Sequence, residues 1–475
     1  MNLLFQSTLD YVGKNNVHPI GLLALGSAAI AICTVRRLHV PVVMLALAAF
    51  IPSAQRIVLA GADFNFVRAL VLVGIVRIAL RSEWTWIRWN GVDTCVALGA
   101  LARVVCFPIV RGSVDDLIAG IGANFEIVGA YLLVRCCIRD LAGARNLTIF
   151  AAAIACTALP FFVLENVTGR NLFALFGGVP EITWVREGRV RCRGALDHAI
   201  LAGCFFVAWL PLWIGLTISR VGKERRIGFA GIFAAVIIVA CCASSTPVVA
   251  LLLGAGVWVF FPLRSQLRLI YVLLIVLACI LHFVMQAPIW HLISRIDLVG
   301  GSTGHHRYRL IDAAIDRFPE WWMIGTGSTA HWGWGLYDVT NQFVLEAVKG
   351  GLWALLAICG VFVFGYAVVG RELVRLAALR IETSRNRAWS SLARVSADEA
   401  FVFGLGAALC TQMAIFLAVS YFGQTTVVWQ FLVALAACMV QWSADARRSR
   451  QSRVAVVPSR SRATRLTVQG TTGTR

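Results

Sequence analysis

Residues 198–217, HAILAGCFFVAWLPLWIGLT, form an apolar segment that contains no Asp, Glu, Lys or Arg. A helix needs about 20 predominantly apolar residues to cross the hydrocarbon core of a bilayer. Lipid offers no water to hydrogen-bond an exposed backbone, so a segment of this kind must be an α-helix. The stretch therefore predicts a membrane-spanning helix.

Apolar segments of this kind recur along the whole chain. Only 14% of the 475 residues are charged and 59% are hydrophobic, whereas soluble domains carry about 25% charged residues. The first segment lacks a basic start and a small-residue cleavage site, so no removable signal peptide is expected. The sequence predicts an all-α polytopic membrane protein with about 12–13 transmembrane helices, in which residues 1–442 form a single domain. We count about thirteen apolar segments: 19–35, 40–60, 64–80, 91–110, 116–134, 146–164, 198–217, 227–243, 246–262, 268–286, 341–369, 399–420 and 425–442.

Basic residues are divided unequally between the two sides of the predicted membrane. With the C-terminus in the cytoplasm and the sides alternating, 27 of the 43 Lys and Arg residues fall in the inner loops and the tail. This asymmetry follows the positive-inside rule, and it places the N-terminus outside if thirteen spans is the right count. The tail, 443–475, is rich in Arg, Ser and Thr. We expect it to be disordered in the cytoplasm and to lie near anionic headgroups rather than on nucleic acid.

Motifs of soluble enzymes are missing from the sequence. It contains no Walker motif, no HExxH, no GxSxG and no GxGxxG after a strand, so ATP hydrolysis in the cytoplasm is not expected. The fourteen Cys residues show neither CxxC nor zinc spacing with His, and most lie in apolar segments. We expect them to act as small apolar side chains, and we expect neither a metal nor a cofactor.

Two long outer loops, 165–197 and 287–340, carry basic residues on the side where the positive-inside rule disfavours them. Arg is suited to bidentate binding of phosphate or carboxylate, so an anionic ligand is expected at these loops. A general preference for Arg over Lys in the chain is the alternative, but it does not explain the clustering. The first loop holds five Arg residues: Arg170, Arg186, Arg189, Arg191 and Arg193.

The second loop contains an amphipathic pattern in residues 305–318, HHRYRLIDAAIDRF. Tyr308, Ile311, Ile315 and Phe318 recur every three or four residues, which predicts a helix lying across the outer face. The polar residues off this stripe would face either a cavity or water: His305, Arg307, Arg309, Asp312 and Asp316.

Four Trp residues follow the amphipathic helix: Trp321, Trp322, Trp332 and Trp334. This clustering at a membrane boundary is typical of an interfacial belt. A platform on which sugar rings stack is the alternative.

Charged residues inside the predicted spans need partners. Arg103 and Glu126 lie in neighbouring spans, and we expect them to form an ion pair. A structural pair is favoured over a proton relay because no ladder of acidic residues follows. The residues concerned are Arg68, Arg77, Arg103, Glu126 and Lys349.

Several stretches between about residues 165 and 360 resemble the O-antigen ligase and O-antigen polymerase superfamily of membrane glycosyltransferases. RVRCRGALDHAI (189–200) is similar to its Arg-x-x-Gly…His-Pro-Asn stretch, with Arg191, Gly194 and His198 matching. NVTGRNLFALFGG, which precedes it, is similar to the lead-in of one branch. STGHHRYRLIDAAIDRFPEWWMIGTG and TNQFVLEAVKGGLWALL are similar to the Gly-Arg-rich helix and to the element that closes the outer loop.

This resemblance implies a metal-independent glycosyltransferase on the periplasmic face of the bacterial inner membrane. Such an enzyme transfers a glycan from undecaprenyl pyrophosphate to the hydroxyl of an acceptor glycan, as a polymerase or a ligase. Membrane lipid, chain-length regulators and export proteins are the further partners to expect. Two outer-face Arg residues would hold the pyrophosphate: Arg191 matches the first, and either Arg307 or Arg309 is the second.

The chain departs from the family pattern at the expected catalytic His, where it has Thr340 followed by a matching Asn341. His331 or Asp338 is the alternative base, or the branch uses none. Further residues expected to bind substrate are Arg193, His198, His305, His306 and Asn341.

A transporter or flippase of lipid-linked glycans is the alternative function. No second copy of the 287–340 loop is present, which disfavours the internal repeats of many transporters. A structural protein that assembles with a partner is a third hypothesis.

Overall fold

The apolar segments fold into a bundle of α-helices. The computed structural model of the protein describes residues 11–59, 62–218, 222–295, 304–386 and 389–455. The α-helices of these ranges are α1 (Pro19–Thr34), α2 (Val40–Phe50), α3 (Phe66–Leu80), α4 (Gly91–Arg111), α5 (Val114–Cys137), α6 (Leu141–Thr168), α7 (Ala199–Val207), α8 (Leu210–Ile218), α9 (Gly222–Cys242), α10 (Ser245–Gly256), α11 (Leu267–Val284), α12 (Gly304–Asp316), α13 (Phe318–Trp321), α14 (Gln342–Arg385), α15 (Trp389–Phe416) and α16 (Thr425–Ala455). Antiparallel pairs are formed by β1 (Arg56–Leu59) with β2 (Ala62–Asn65), and by β3 (Val185–Arg186) with β4 (Arg189–Val190).

Nine helical stretches of the described residues are long and apolar enough to cross a membrane. The four other apolar segments of the sequence contain the shorter helices α1, α2, α3 and α11. In the segment 40–60, α2 ends at Phe50 and the chain turns into the β1–β2 pair. The protein is therefore an all-α polytopic membrane protein, as the sequence predicts. The nine stretches are Gly91–Arg111, Val114–Cys137, Leu141–Thr168, Ala199–Ile218, Gly222–Cys242, Ser245–Gln266, Gln342–Arg385, Trp389–Phe416 and Thr425–Trp442.

Segment 198–217 lies in the core of the bundle as the two consecutive helices α7 and α8. The break between them comes just before Pro211, because proline cannot donate the backbone hydrogen bond that continues a helix. Trp209 and Trp213 at this break are fully buried. Trp213 Nε1 donates to the carbonyl of Thr148 in α6 at 3.0 Å, so the indole's polar group is satisfied away from water.

Helix α14 is broken at Gly350 and Gly351, inside the membrane-spanning region. Residues 322–326 of the second long loop bind at this break: the Thr326 amide donates to the Val348 carbonyl at 2.9 Å, and the Leu352 amide donates to the Trp322 carbonyl at 2.8 Å. The loop thus supplies the backbone partners that the broken helix lacks, as a lipid environment requires.

The expected Arg103–Glu126 ion pair is wrong. Arg103 Nη1 lies 2.6 Å from Glu346 Oε2 of α14, and its Nε donates to Asn124 at 2.9 Å. Glu126 instead accepts from Asn65 Nδ2 at 2.8 Å and lies 3.6 Å from Arg68. Arg103 pairs with Glu346 because α4 packs against α14. Glu126 is closer to Arg103 in the sequence but is not its partner.

Both long loops lie at the same end of the bundle, which we call the loop end. Both loops contact the helices next to the turn between α9 and α10. The Cys192 amide of loop 165–197 donates to the Cys241 carbonyl at 3.1 Å, and Arg307 Nη2 of loop 287–340 donates to Thr246 Oγ1 at 2.9 Å.

Helix α16 continues to Ala455. It therefore enters the segment 443–475, for which the sequence predicts disorder, and that expectation stays a prediction. The remainder, 456–475, lies outside the described residues.

Candidate functional site

A buried carboxylate organises the Arg-rich loop 165–197. Glu165, in the last turn of α6, accepts hydrogen bonds from the amides of Arg193 (3.1 Å) and Gly194 (2.9 Å) and from Thr183 Oγ1 (2.9 Å). Gly194 has a φ of +58°, which glycine adopts without steric cost. Glu165 therefore fixes the stretch that carries Arg191 against the end of α6. The sequence reasoning missed Glu165, although it is the acidic residue that opens the loop's lead-in.

The Arg191 guanidinium lies partly buried beside the α9–α10 turn. Its Nε is buried without a hydrogen-bond partner among the residues that the structure describes. Burial and the nearby charge of Arg186 lower the pKa of Arg191. A buried donor next to a second cation is arranged to receive an anion.

Arg193 and His198 are both used to hold the loop onto α7. Arg193 Nη1 donates to the Asp197 carbonyl at 2.8 Å. His198 caps the N-terminus of α7, with its Nδ1 accepting from the Ile200 amide at 3.1 Å. Burial, followed by the charges of Arg191, Arg193 and Arg186, lowers the pKa of His198 to about 4. The imidazole is therefore neutral at pH 7, with its proton on Nε2.

The lowered pKa of His198 predicts a loss of stability in acid. The folded protein keeps His198 neutral down to about pH 4, whereas the unfolded chain protonates it near pH 6.5. The contribution of neutral His198 to the free energy of unfolding is therefore fully present above pH 6.5 and is lost as the pH falls toward 4. The loss amounts to about 3 kcal/mol at most. Thermal unfolding of the detergent-solubilised protein over this range, compared with His198→Asn, tests this. Asn still caps the helix but does not titrate, so the melting temperature of the variant should depend less on pH. If the melting temperatures of the two proteins change with pH in parallel, the lowered pKa of His198 is contradicted.

Helix α12 turns its Arg307 side into the bundle, with Leu310 and Ala314 buried on the same face. The predicted apolar stripe faces the other way, since Ile315 and Phe318 are exposed. The face of α12 that enters the bundle is therefore the one that carries Arg307, and the exposed apolar residues can contact lipid.

Arg307 lies at the polar end of a cavity of about 140 Å³. Its side chain is buried, its Nη2 donates to Thr246, and its Nε has no hydrogen-bond partner. Burial lowers its pKa. Beyond Arg307, Ser245 and Thr246, the walls of the cavity are apolar: Val249, Ala250, Ala414, Ile415, Leu417 and Ala418. The cavity can therefore accommodate an amphiphile with an anionic head.

Arg309 and the two neighbouring histidines shape the second loop. Arg309 lies against Gly333. His306 Nε2 is 3.0 Å from the Asp338 carbonyl oxygen, and His305 Nδ1 is 2.9 Å from Tyr308 Oη. Asp338 itself is exposed. These contacts are made within the loop and not at the Arg307 cavity.

His331 forms a pair with Glu320. The two side chains are 2.9 Å apart, and Glu320 also accepts from Thr326 Oγ1 and Trp332 Nε1. Burial acts to raise the pKa of Glu320, but the hydrogen bonds from His331, Thr326 and Trp332 outweigh it and lower the pKa. An ionised Glu320 thus orients the His331 ring, which is half exposed.

The residues at the start of α14 have structural contacts. Asn341 caps the helix by accepting from the amides of Phe343 and Val344, and it donates to the Leu417 carbonyl at 3.3 Å. It is only 1% exposed, so its position favours a structural role over direct contact with substrate. Thr340, at the family's His position, has a buried Oγ1 without a hydrogen-bond partner.

Two of the four Trp residues of the second loop are core residues. Trp321 and Trp332 are buried in a small cluster with Leu310, Leu336 and Val344. The interfacial-belt expectation is therefore wrong for these two, whereas Trp334 is 91% exposed.

The structure thus places the stretch that carries Arg191 at the end of α9 and Arg307 at the start of α10. The sequence reasoning missed Thr246, although SSTP (244–247) is a conspicuous polar insertion between two apolar helices. No family model matches the sequence, and no curated protein matches it.

Proposed function

We propose that the protein transfers a glycan from undecaprenyl pyrophosphate to an acceptor sugar hydroxyl on the periplasmic face of the bacterial inner membrane, as a polymerase or a ligase. The observation that carries this proposal is the pair Arg191 and Arg307. Both guanidinium groups have a buried Nε without a hydrogen-bond partner among the described residues. Arg307 donates to Thr246 at the start of α10 and lines a cavity with apolar walls, and the Cys192 amide next to Arg191 donates to the Cys241 carbonyl at the end of α9. A pyrophosphate on a polyprenyl chain has the matching anionic and apolar parts.

The reaction requires stabilisation of a leaving group and removal of one proton. The acceptor oxygen attacks the anomeric carbon, the bond from that carbon to the phosphate oxygen breaks, and negative charge develops on the pyrophosphate. Guanidinium groups already fixed toward that charge lower the barrier. The donor is already activated, so this chemistry needs neither a nucleotide nor a metal.

His331 is the better-oriented of the two candidate bases. If its Nε2 proton is donated to Glu320, Nδ1 remains an acceptor for the proton of the acceptor hydroxyl. General-base catalysis of this kind contributes about 10²–10⁴-fold. Asp338 is exposed, and its carboxylate has no comparable partner among the loop residues that the structure describes.

Reconstitution in liposomes with an oligosaccharide on a lipid pyrophosphate tests the proposed function. We expect consumption of the donor and formation of a new glycosidic bond. Growth of the lipid-linked chain identifies a polymerase, and transfer to a different acceptor identifies a ligase. Intact donor after prolonged incubation with both acceptors would contradict the proposal.

A transporter of lipid-linked glycans is the second candidate, and the break of α14 at Gly350 and Gly351 favours it. Discontinuous membrane helices are a feature of many transporters. The same reconstitution separates the two functions, because a flippase moves the donor between leaflets without changing its mass.

A further inference from the structure

A second cavity, of about 100 Å³, lies within the membrane-spanning helices α4, α14 and α16. It is separate from the cavity at Arg307, and the two share no lining residue. Gln342, Glu346 and Lys349 line it from one face of α14, at the spacing that brings helical side chains together. Arg103 reaches it from α4. The space is sufficient for several water molecules or one small anionic group.

The charges around this cavity do not balance. Both oxygens of Glu346 are occupied, Oε2 by Arg103 Nη1 at 2.6 Å and Oε1 by Gln342 Nε2 at 2.8 Å. Lys349 lines the same cavity, and no hydrogen bond or ion pair engages its ammonium group within the described parts of the chain. The cavity is lined by two basic residues, Arg103 and Lys349, and by one acidic residue, Glu346. One positive charge is therefore in excess. An unpaired cation at this depth is costly unless water or an anion accompanies it.

Helix α16 supplies a hydrogen-bond acceptor to the same cavity. Gln430 Oε1 is buried without a hydrogen-bond partner among the described residues, and Gln430 lines the cavity. Buried polar atoms are rarely left unpaired, so this oxygen points to a group that the cavity receives. That group must accept from Lys349 and donate to Gln430.

We propose that this cavity is a binding site for a singly protonated phosphate group, carried either by a lipid phosphate or by inorganic phosphate. A P–O⁻ oxygen accepts from the Lys349 ammonium, and the P–OH donates to Gln430 Oε1. A carboxylate could neutralise Lys349 but has no proton to donate. The Trp429 and Phe416 side chains complete the wall. The site uses neither Arg191 nor Arg307, so it does not rest on the proposed function.

Reductive methylation with formaldehyde tests the site on the unaltered chain. The sequence has three lysines, Lys14, Lys223 and Lys349, so the first two serve as internal controls in the same mass-spectrometric digest. In one arm the purified, delipidated protein receives inorganic phosphate, with NaCl at equal ionic strength as the comparison. In the other arm the protein is placed in nanodiscs with or without a polyprenyl monophosphate.

We expect phosphate to slow the methylation of Lys349 about tenfold when it is present at about ten times its dissociation constant, while Lys14 and Lys223 react as before. Protection by inorganic phosphate identifies a soluble ligand, and protection by the lipid alone identifies a headgroup. Equal rates in every condition would overturn the proposal, because the cavity would then hold water only. Failure of Lys349 to react in delipidated, phosphate-free protein would also overturn it, since such a cavity admits no solute.

A binding measurement with variants supplies the second test. Lys349→Gln should abolish the rise in melting temperature that inorganic phosphate or the lipid phosphate produces in the wild type, and Lys223→Gln should retain it. Retention of the full shift in Lys349→Gln would contradict the site.

Discussion

Replacing Arg307 with lysine is expected to slow glycan transfer from a lipid pyrophosphate by about 10²–10³-fold, the usual effect of removing one preorganised donor from a transition state. Lysine keeps the positive charge but loses the planar fork that binds two phosphate oxygens. It also cannot donate to Thr246 and to the ligand in the geometry that the guanidinium provides. The measurement is the initial transfer rate in the reconstituted system, with amount and melting temperature of the purified variant checked in parallel.

Arg309→Lys is the matched control, because Arg309 lies on the same helix but contacts the loop at Gly333. We expect this variant to retain transfer within a few-fold of wild type. The opposite result, with Arg309→Lys inactive and Arg307→Lys active, would assign the pyrophosphate to Arg309 and contradict the site.

Gly351→Ala is expected to destabilise the protein by about 3–5 kcal/mol, from backbone strain and overpacking together. Gly351 has a φ of +62°, and a Cβ atom there would lie 2.6 Å from the Met323 carbonyl oxygen and 2.9 Å from that of Trp322. These are backbone atoms of the segment that binds at the break of α14, so they cannot move aside independently. The variant should unfold at lower temperature and expose residues 322–326 to protease.

Gly370→Ala, in the same helix, is the control for this prediction. Nothing lies within 4 Å of the Cβ that it would add, and alanine is favoured over glycine inside a helix by about 0.5–1 kcal/mol. Its melting temperature should be unchanged or higher. If Gly351→Ala melts as the wild type does, the described docking of the loop on α14 is incorrect.

The helical fold could be predicted from composition because each apolar segment has one stable conformation in lipid. What could not be predicted is which helices pack together. Arg103 illustrates this limit. Glu126 lies in the next predicted span along the sequence, but α14 brings Glu346 into contact with Arg103. The breaks at Pro211 and Gly351 were likewise visible as residues, but only packing determines whether a proline or a glycine interrupts a helix.

The candidate site could be predicted in part. The resemblance pointed to Arg191, and it left Arg307 and Arg309 open. The burial of Arg307 beside Thr246 is the reason that we propose Arg307 for this role. Periodicity predicted the helix α12, but it identifies an apolar face without saying whether protein or lipid covers that face. Glu165 could not be recognised, since its role depends on two amides of a loop that folds back onto α6.

We propose that Arg191 and Arg307 bind one pyrophosphate together, and a double-mutant cycle on the transfer rate tests this joint binding. The cycle compares Arg191→Lys, Arg307→Lys and the double variant with the wild type in reconstituted liposomes. Groups that act as a unit are strongly non-additive, so the double variant should be only slightly slower than either single variant. If the two losses in rate multiply in the double variant, the arginines act independently and do not bind one pyrophosphate together.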